Sequence, residues 1–269
     1  MKTLYTVILL LFACSGYAQQ FDEVKLRIHY KSEGQRFDTS PNRTPDEKIL
    51  DIGTKSSKFY SLWETSLENV KDSAIAHGGS FEDVQNAIGR VPYPRSYEYY
   101  EVYKNYPEKG RLTCTDKEFK PFIYEEVLEK LQWNILPEDT LIAGYSCQKA
   151  QTDFRGRTWQ VWFAPDIPVS DGPWKLHGLP GLILSAKDSE ENFIFECIEI
   201  KNGKNEAIAF KKRNYIKCAD WQGVNEMHIK NDKDPVGYLS QFGPNMGPGI
   251  GPDGKPLVHK ERKILLLEH

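Results

Sequence analysis

The side chains that could carry out a hydrolysis are concentrated in one short stretch of the chain. Asp166 and Asp171 flank a turn-rich link, and His177 follows them closely. Two carboxyls and an imidazole are the groups that general acid–base catalysis needs. Aspartates in such links more often cap the backbone, and a histidine there can simply pack against Trp174 and bond a turn carbonyl. A hydrolase with a site near Asp166, Asp171 and His177 is therefore our alternative hypothesis.

Known catalytic and cofactor motifs are absent from the sequence. No pair of histidines has zinc-protease spacing, and no G-x-S-x-G motif occurs. Residues 249–254 match the spelling G-x-G-x-x-G, but Pro252 removes a backbone donor and no strand precedes the first glycine. We therefore predict no catalytic, cofactor-binding or metal-binding residues and no cofactor. Taken alone, the sequence favours a protein that is not an enzyme.

The N-terminus predicts export. A secretory signal peptide has a charged start, an apolar run and small residues at its cleavage site. Residues 1–18 show this pattern, with Lys2 at the start and Ala18 at the predicted cleavage site. The run is too short to span a bilayer, and no later stretch is longer, so we predict no transmembrane span. We expect a periplasmic or secreted protein after cleavage near Ala18, with a lipoprotein lipidated at Cys14 as the less favoured alternative. The formal net charge of −3 gives no reason to expect nucleic acid as a partner.

Four cysteines remain after such a cleavage. In an oxidising compartment an even number favours disulfides, and three connectivities are possible. The alternative is that Cys147 acts as a nucleophile beside His177, but export works against a reduced thiol. The disulfide candidates are Cys114, Cys147, Cys197 and Cys218.

Residues 172–184 are the stretch around which we expect the chain to fold. The segment from Leu179 to Leu182 suits a tight turn, because proline fixes φ and glycine at position 181 tolerates the positive φ of a type II turn. The apolar run from Leu182 to Leu184 then predicts a buried strand beside Trp174.

Elsewhere the pattern predicts a mostly β protein. Alternating apolar and polar residues, as in 24–31 and 158–164, indicate strands with one solvent-exposed face. Turn residues predict hairpins at 155–157 and 202–203. Helical spacing with Ser80 as a cap predicts a small insertion near residues 61–90, and Asp220 and Pro235 could begin two further helices. We predict one domain, residues 19–269, built on a single antiparallel meander sheet or half-barrel with two small helical insertions.

Five tyrosines fall within residues 97–106. Strand tyrosines usually just fit a half-buried surface, but some of these could line a groove for a ligand.

Several motifs resemble those of the GLPGLI family of exported Bacteroidetes cell-envelope proteins. They cover residues 144–150, 154–157, 162–163 and 167–184. The resemblance implies a β-rich exported protein and transfers no catalytic residue. It also implies that Cys147 belongs to the family pattern, which leaves its disulfide partner open. The structural signature consists of Cys147, Trp174, His177, Gly178, Leu179, Pro180, Gly181, Leu182 and Ile183.

These observations favour a binding function. The predicted sheet, the strand aromatics and a Gly/Pro-rich loop at residues 243–254 could enclose a ligand, whereas no catalytic motif is present. We therefore predict a non-enzymatic binding or accessory module for an envelope protein partner or a small apolar ligand. The alternative is an envelope hydrolase with a site near Asp166, Asp171 and His177.

Overall fold

The computed structural model describes residues 19–94, 96, 98–242 and 263–269. The predicted signal peptide with Cys14, Tyr97 and the Gly/Pro-rich loop at 243–254 lie outside the described residues.

The main element of the described chain is one sheet of twelve strands. Its strands in chain order are β2 (Leu26–Gln35), β3 (Arg43–Ile52), β4 (Ser57–Ser61), β5 (Glu101–Lys104), β6 (Arg111–Lys117), β7 (Pro121–Val127), β8 (Asn134–Ile142), β9 (Tyr145–Phe154), β10 (Arg157–Ala164), β11 (Leu182–Asp188), β12 (Phe193–Asn202) and β14 (Ile216–Lys217). Across the sheet the order is β14-β7-β6-β5-β4-β3-β2-β12-β11-β10-β9-β8.

The prediction of a mostly β protein is confirmed, but the prediction of a single antiparallel meander is wrong. The sheet consists of two meanders, β2 to β7 and β8 to β12, that join where β12 pairs with β2. It is also mixed, because β14 runs parallel to β7. Parallel pairing needs a long connection, and here the intervening chain passes through the whole second meander before it returns. Local sequence patterns do not show that β14 pairs with the distant strand β7.

Tight turns with left-handed backbone connect the strands of the second meander. Arg155 and Gly156 have φ of 53° and 74°, which gives the predicted hairpin between β9 and β10 the twist that neighbouring strands need. Ala143 and Gly144, with φ of 51° and 84°, form a second such turn between β8 and β9.

The hairpin predicted across residues 202–203 does not form. β13 (Ala207–Phe210) leaves β12 and pairs instead with β1 (Gln19–Glu23) in a separate two-stranded sheet. Gly203 lies so close to the chain near β1 that a Cβ there would be 1.8 Å from the Val24 carbonyl oxygen. Aromatic rings then pack between the two sheets, with Phe21, Tyr103, Tyr106 and Phe210 in contact.

Four helices lie in the described ranges: α1 (Leu62–Ala76), α2 (Phe81–Gly89), α3 (Trp221–Lys233) and α4 (Pro235–Ser240). Each of the last three begins where the sequence suggested. The Ser80 hydroxyl accepts from the Asp83 amide in a capping box, and the Asp220 carboxylate accepts from the Gly223 amide at 3.0 Å. None of the helices in these ranges is long and apolar enough to cross a membrane.

The core lies on the face of β10 that carries Trp159, Val161 and Phe163, all fully buried. Trp174 packs against Trp159 with ring centroids 5.3 Å apart, and Val224 of α3 belongs to the same cluster. The predicted alternation in β10 therefore places its apolar face against the core.

The predicted disulfides are wrong, because all four cysteines in the described residues are free thiols. Cys114, Cys147 and Cys197 lie on β6, β9 and β12, which are not neighbours in the sheet, and each is buried. Cys218 follows β14. No two of these four cysteines lie at the distance that a disulfide needs.

Candidate functional site

A cavity of about 120 Å³ is bounded by the main sheet, α3 and residues 264–268. We call it the α3 cavity. Part of its wall is apolar, from Val102, Cys114, Tyr124, Trp174 and Phe193. The remainder combines aromatic rings with side chains that form hydrogen bonds. These residues are Glu98, Tyr99, Tyr100, Asp116, Glu118, Trp221, Asn225 and His228.

Charged hydrogen bonds hold α3 against β6. His228 Nδ1 lies 2.6 Å from Glu118 Oε1, and His228 Nε2 lies 2.9 Å from Asp116 Oδ2. Burial alone would lower the pKa of His228, but the charge of Asp116 and the bonds to both carboxylates raise it to about 10. The ring is therefore an imidazolium that donates from both nitrogens. Asn231 donates to the other oxygen of Glu118 at 2.8 Å. Together these bonds hold α3 and both carboxylates in place.

Residues 263–269 form part of the wall beside α3. The Glu268 carboxylate accepts from Tyr124 at 3.0 Å and forms an ion pair with Lys175 at 2.7 Å. Its carbonyl accepts from Asn225 at 2.7 Å. In the described part of this segment the strand pairing consists of one bridge between Ile264 and Phe37.

The clustered tyrosines divide between two environments. Tyr99 and Tyr100 line the α3 cavity, as the groove hypothesis suggested for some of them. Tyr103 and Tyr106 instead pack against the small sheet. The irregular chain before β5 makes this division possible, because it releases Tyr99 and Tyr100 from strict strand alternation.

A second, smaller cavity of about 30 Å³ shares Tyr99, Tyr100, Thr115 and Asp116 with the first. Two glutamates of α1, Glu64 and Glu68, also line it.

The environments of these two glutamates shift their pKa values in opposite directions. Burial raises the pKa of Glu64, although Lys117 lies 3.4 Å away. Burial would raise the pKa of Glu68 too, but hydrogen bonds and charge from Arg213 outweigh it and lower that pKa to about 2. Two carboxyls whose environments shift their pKa values apart are candidates for an acid and a base.

The residues proposed from sequence for a hydrolytic site do not line either cavity. Asp166 is exposed in a turn after β10. Asp171 is buried in an ion pair with Lys104 and also accepts from the Gly172 amide at 2.7 Å. His177 Nδ1 lies 2.9 Å from the Lys175 carbonyl oxygen, and burial lowers its pKa. Asp171 is therefore bonded to Lys104 and to a backbone amide, and Nδ1 of His177 to a backbone carbonyl.

The signature stretch forms a buried structural element, with a different turn from the predicted one. The amide of Leu176 bonds the Pro173 carbonyl at 3.1 Å, and Trp174 has φ of 52°, so the tight turn precedes the predicted one. The amide of Leu182 instead bonds Ile167. Gly181 is required for a steric reason, because a Cβ there would be 2.2 Å from the Ala164 carbonyl oxygen.

The other signature residues surround this turn. Gly178 has φ of 99°, and Leu179, Leu182 and Ile183 are buried while Pro180 is exposed. The buried Cys147 thiol has its pKa raised by burial, which is the opposite of what a nucleophile needs.

Sequence reasoning missed Asp116, Glu118 and His228. One usable signal was present: His228 follows Val224 by four residues in the predicted helix, so both face the same side. A histidine on the buried face of a helix requires a polar partner, yet the sequence does not show that β6 supplies it.

Comparison with known proteins assigns the family. A model of the "N-glycanase peptide, N-terminal domain" matches residues 85–221. Two solved structures of PNGF-II, in space groups P21 and C2, are each 15% identical, with TM-scores of 0.48 and 0.49. The alignments cover 75% of this chain and 32% of that one, so the chain spans about a third of PNGF-II. A search of curated proteins found no match.

These comparisons correct two predictions. The assignment to the GLPGLI family is wrong, because the family model that matches is a different one. The prediction of a non-enzymatic accessory module is wrong as well, because that model describes a domain of an N-glycanase. The match covers just over half of the chain. This protein therefore belongs to the family of N-glycanase peptide N-terminal domains.

Proposed function

We propose that this chain acts on N-linked glycans and that the α3 cavity holds a sugar residue of the glycan. The observation that carries the proposal is the composition of the cavity wall, in which Tyr99 and Trp221 accompany Asp116, Glu118 and Asn225. The family supports the same substrate class, because its name is that of an N-glycanase.

Sugar chemistry matches this wall. A pyranose ring has C–H groups on its faces, which pack on aromatic rings, and hydroxyls around its edge, which need hydrogen-bond partners. Asp116 and Glu118 are held rigidly by His228, so their remaining acceptor sites are fixed before a ligand arrives. The small apolar ligand expected from sequence would offer no hydrogen-bond partners to the polar groups of this wall.

The smaller cavity could supply the chemistry of hydrolysis. Glu64, with its raised pKa, is suited to protonate a leaving group, and the ionised Glu68 is suited to hold or activate water. Both lie beside Tyr99 and Tyr100, which also line the α3 cavity. A glycan bound across the shared wall would pass close to these groups.

Export fits the proposed substrate. N-linked glycans are carried by secreted and surface glycoproteins, and cleavage near Ala18 would release this chain into a compartment that can meet them. That cleavage, and the organisation of residues 19–269 as one domain, remain predictions.

Binding of a fluorescently labelled N-glycan tests the proposal. We expect Trp221→Ala to weaken binding about tenfold or more, because the variant removes an aromatic face from the cavity. Phe81→Ala is the matched control, since Phe81 is 81% exposed on α2 and does not line the cavity. Equal binding by wild type and Trp221→Ala would contradict the proposed site.

Glycan release from a glycoprotein, followed by mass spectrometry, tests the hydrolytic step. We expect Glu64→Gln to lose release while retaining glycan binding, because the amide keeps the shape of the carboxyl without its proton chemistry. Unchanged release by this variant would remove Glu64 from the mechanism. It would not affect the assignment of the binding site.

A further inference from the structure

We infer that the α3 cavity selects uncharged sugar residues and rejects acidic ones. This inference rests on the proposed function and specifies the substrate class of the same site. It depends on where the charges of the cavity wall lie relative to the counter-charges that hold them.

Four carboxylates line the cavity. They are Glu98, Asp116, Glu118 and Glu268. Two of them are held by lysines that lie behind the wall and do not line it. Lys48 is fully buried, with Nζ 3.1 Å from Glu98 Oε2, and Lys175 is 1% exposed, with Nζ 2.7 Å from Glu268 Oε1. A ligand in the cavity therefore meets the carboxylate oxygens, while the ammonium groups lie beyond its reach.

Two cations do line the cavity, His228 and Arg36. Both ring nitrogens of His228 are already engaged, one by Glu118 at 2.6 Å and the other by Asp116 at 2.9 Å. The Arg36 guanidinium lies 3.9 Å from Glu118 and 5.5 Å from the centroid of the Phe37 ring. Each cation is therefore directed toward groups of the protein, and an anionic ligand would have to compete with them.

Each cation of the wall is thus already directed toward protein groups, while the four carboxylates present acceptors. Sugar hydroxyls are donors, so a neutral sugar can satisfy these carboxylate oxygens. The carboxylate of an acidic sugar would approach like charges in a partly apolar cavity, where repulsion is stronger than in water. The same wall therefore favours one class of sugar and opposes the other.

A matched set of three probes tests the inference. The first is a labelled neutral N-glycan, the second is the same glycan with terminal sialic acids, and the third is the sialylated glycan with its carboxyls methyl-esterified. We expect the sialylated glycan to bind at least about tenfold more weakly than the neutral one, or about 1.4 kcal/mol. We expect the ester to bind like the neutral glycan, because it has the size of the acid without the charge.

The salt concentration and one variant test the role of charge. The ratio between neutral and sialylated binding should fall as salt is raised, because screening weakens repulsion. Glu98→Gln should reduce the ratio between neutral and sialylated binding by about threefold or more. Its fold should survive, since Lys48 keeps Asp46 as a partner at 2.8 Å. Glu199→Gln is the control, because Glu199 is on β12 outside the cavity and should leave the ratio unchanged.

The outcomes separate the two proposals. Equal binding of the neutral and sialylated glycans, or an ester that binds as weakly as the acid, would overturn the charge selection and leave the proposed function intact. Failure of all three probes to bind would overturn the proposed function and the selection with it.

Discussion

Two regions of this protein contain buried charges of the same kinds but differ in whether those charges line a cavity. In the turn region, residues 171–184, Lys104 donates to Asp171, to the Gly172 carbonyl at 2.6 Å and to the Leu176 carbonyl at 3.2 Å. An ammonium has three protons, so every one is used. Burial lowers the pKa of Lys104, and the ammonium has no proton left for a ligand.

The α3 cavity is arranged differently. Asp116 and Glu118 share the two protons of one imidazolium, and their other oxygens accept from the Lys117 amide at 2.6 Å and from Asn231 at 2.8 Å. Both carboxylates nevertheless line a cavity. The ion pair of the conspicuous sequence motif lines neither cavity, whereas the charged groups of the candidate site border a space that a ligand can enter.

The largest effect is expected from breaking the ion pair of the turn region. Asp171→Ala should lower the free energy of unfolding by about 3 to 5 kcal/mol, because it leaves the Lys104 ammonium buried without its counter-charge. Denaturant unfolding measures this. The double variant Lys104→Met with Asp171→Ala should recover more than half of the loss, and a single variant as stable as wild type would show that the two regions do not differ.

The corresponding change in the cavity is His228→Gln, and its cost should depend on pH. We expect a loss of roughly 3 kcal/mol at neutral pH, since two carboxylates lose their cation. The folded-state pKa of His228, about 10, lies above its ordinary value of 6.5. The stabilisation is therefore complete below the ordinary pKa and disappears as the pH rises through about 10.

Unfolding curves of wild type and His228→Gln from about pH 6 to about pH 11 test that sign. The gap between the two proteins should narrow toward high pH. A gap that stays constant would mean that the imidazolium does not hold α3.

A smaller effect is expected at Gly181, where the backbone of the turn region is in close contact with the Ala164 carbonyl. Gly181→Ala should cost about 1 to 3 kcal/mol, because its Cβ would overlap the Ala164 carbonyl. Gly89→Ala is the control, since no atom lies within 4 Å of a Cβ built there. Melting temperatures compare the two, and equal values would remove the steric role of Gly181.

The smallest expected effect concerns the reactivity of the cysteine thiols and needs no substitution. Denatured protein that has not been reduced should take up four alkyl groups if the thiols are free. In the native state Cys218, which is half-buried beside α3, should react first, and the fully buried Cys147 should react far more slowly. Intact-mass measurements over time follow both. Fewer than four labels after denaturation would restore the disulfide hypothesis.

Much of the local structure could be predicted from sequence. Ser80 and Asp220 marked the starts of helices, and Arg155 with Gly156 marked a hairpin, because caps and tight turns depend on residues close in the chain. The same reasoning failed for the β12–β13 hairpin. There Gly203 is required by a contact with Val24, which is distant in sequence.

The candidate site could not be found in the same way. Asp171 and His177 stood out because they lie near each other in sequence, yet the fold satisfies both with neighbouring groups. Glu118 and His228 are separated by 110 residues, and only the packing of α3 on β6 brings them together.

By itself the sequence determined that the protein is rich in β-structure, that β10 has one buried face, and that the turn region is buried with Trp174 in the core. These properties follow from alternation and from the conformational limits of proline and glycine, which act over a few residues. Tertiary structure alone decided that β14 pairs in parallel with β7, that the cysteines remain apart, and that α3 encloses a cavity with charged walls. Each of these depends on which distant segments meet, and a buried charge is stable only where that meeting supplies its partner.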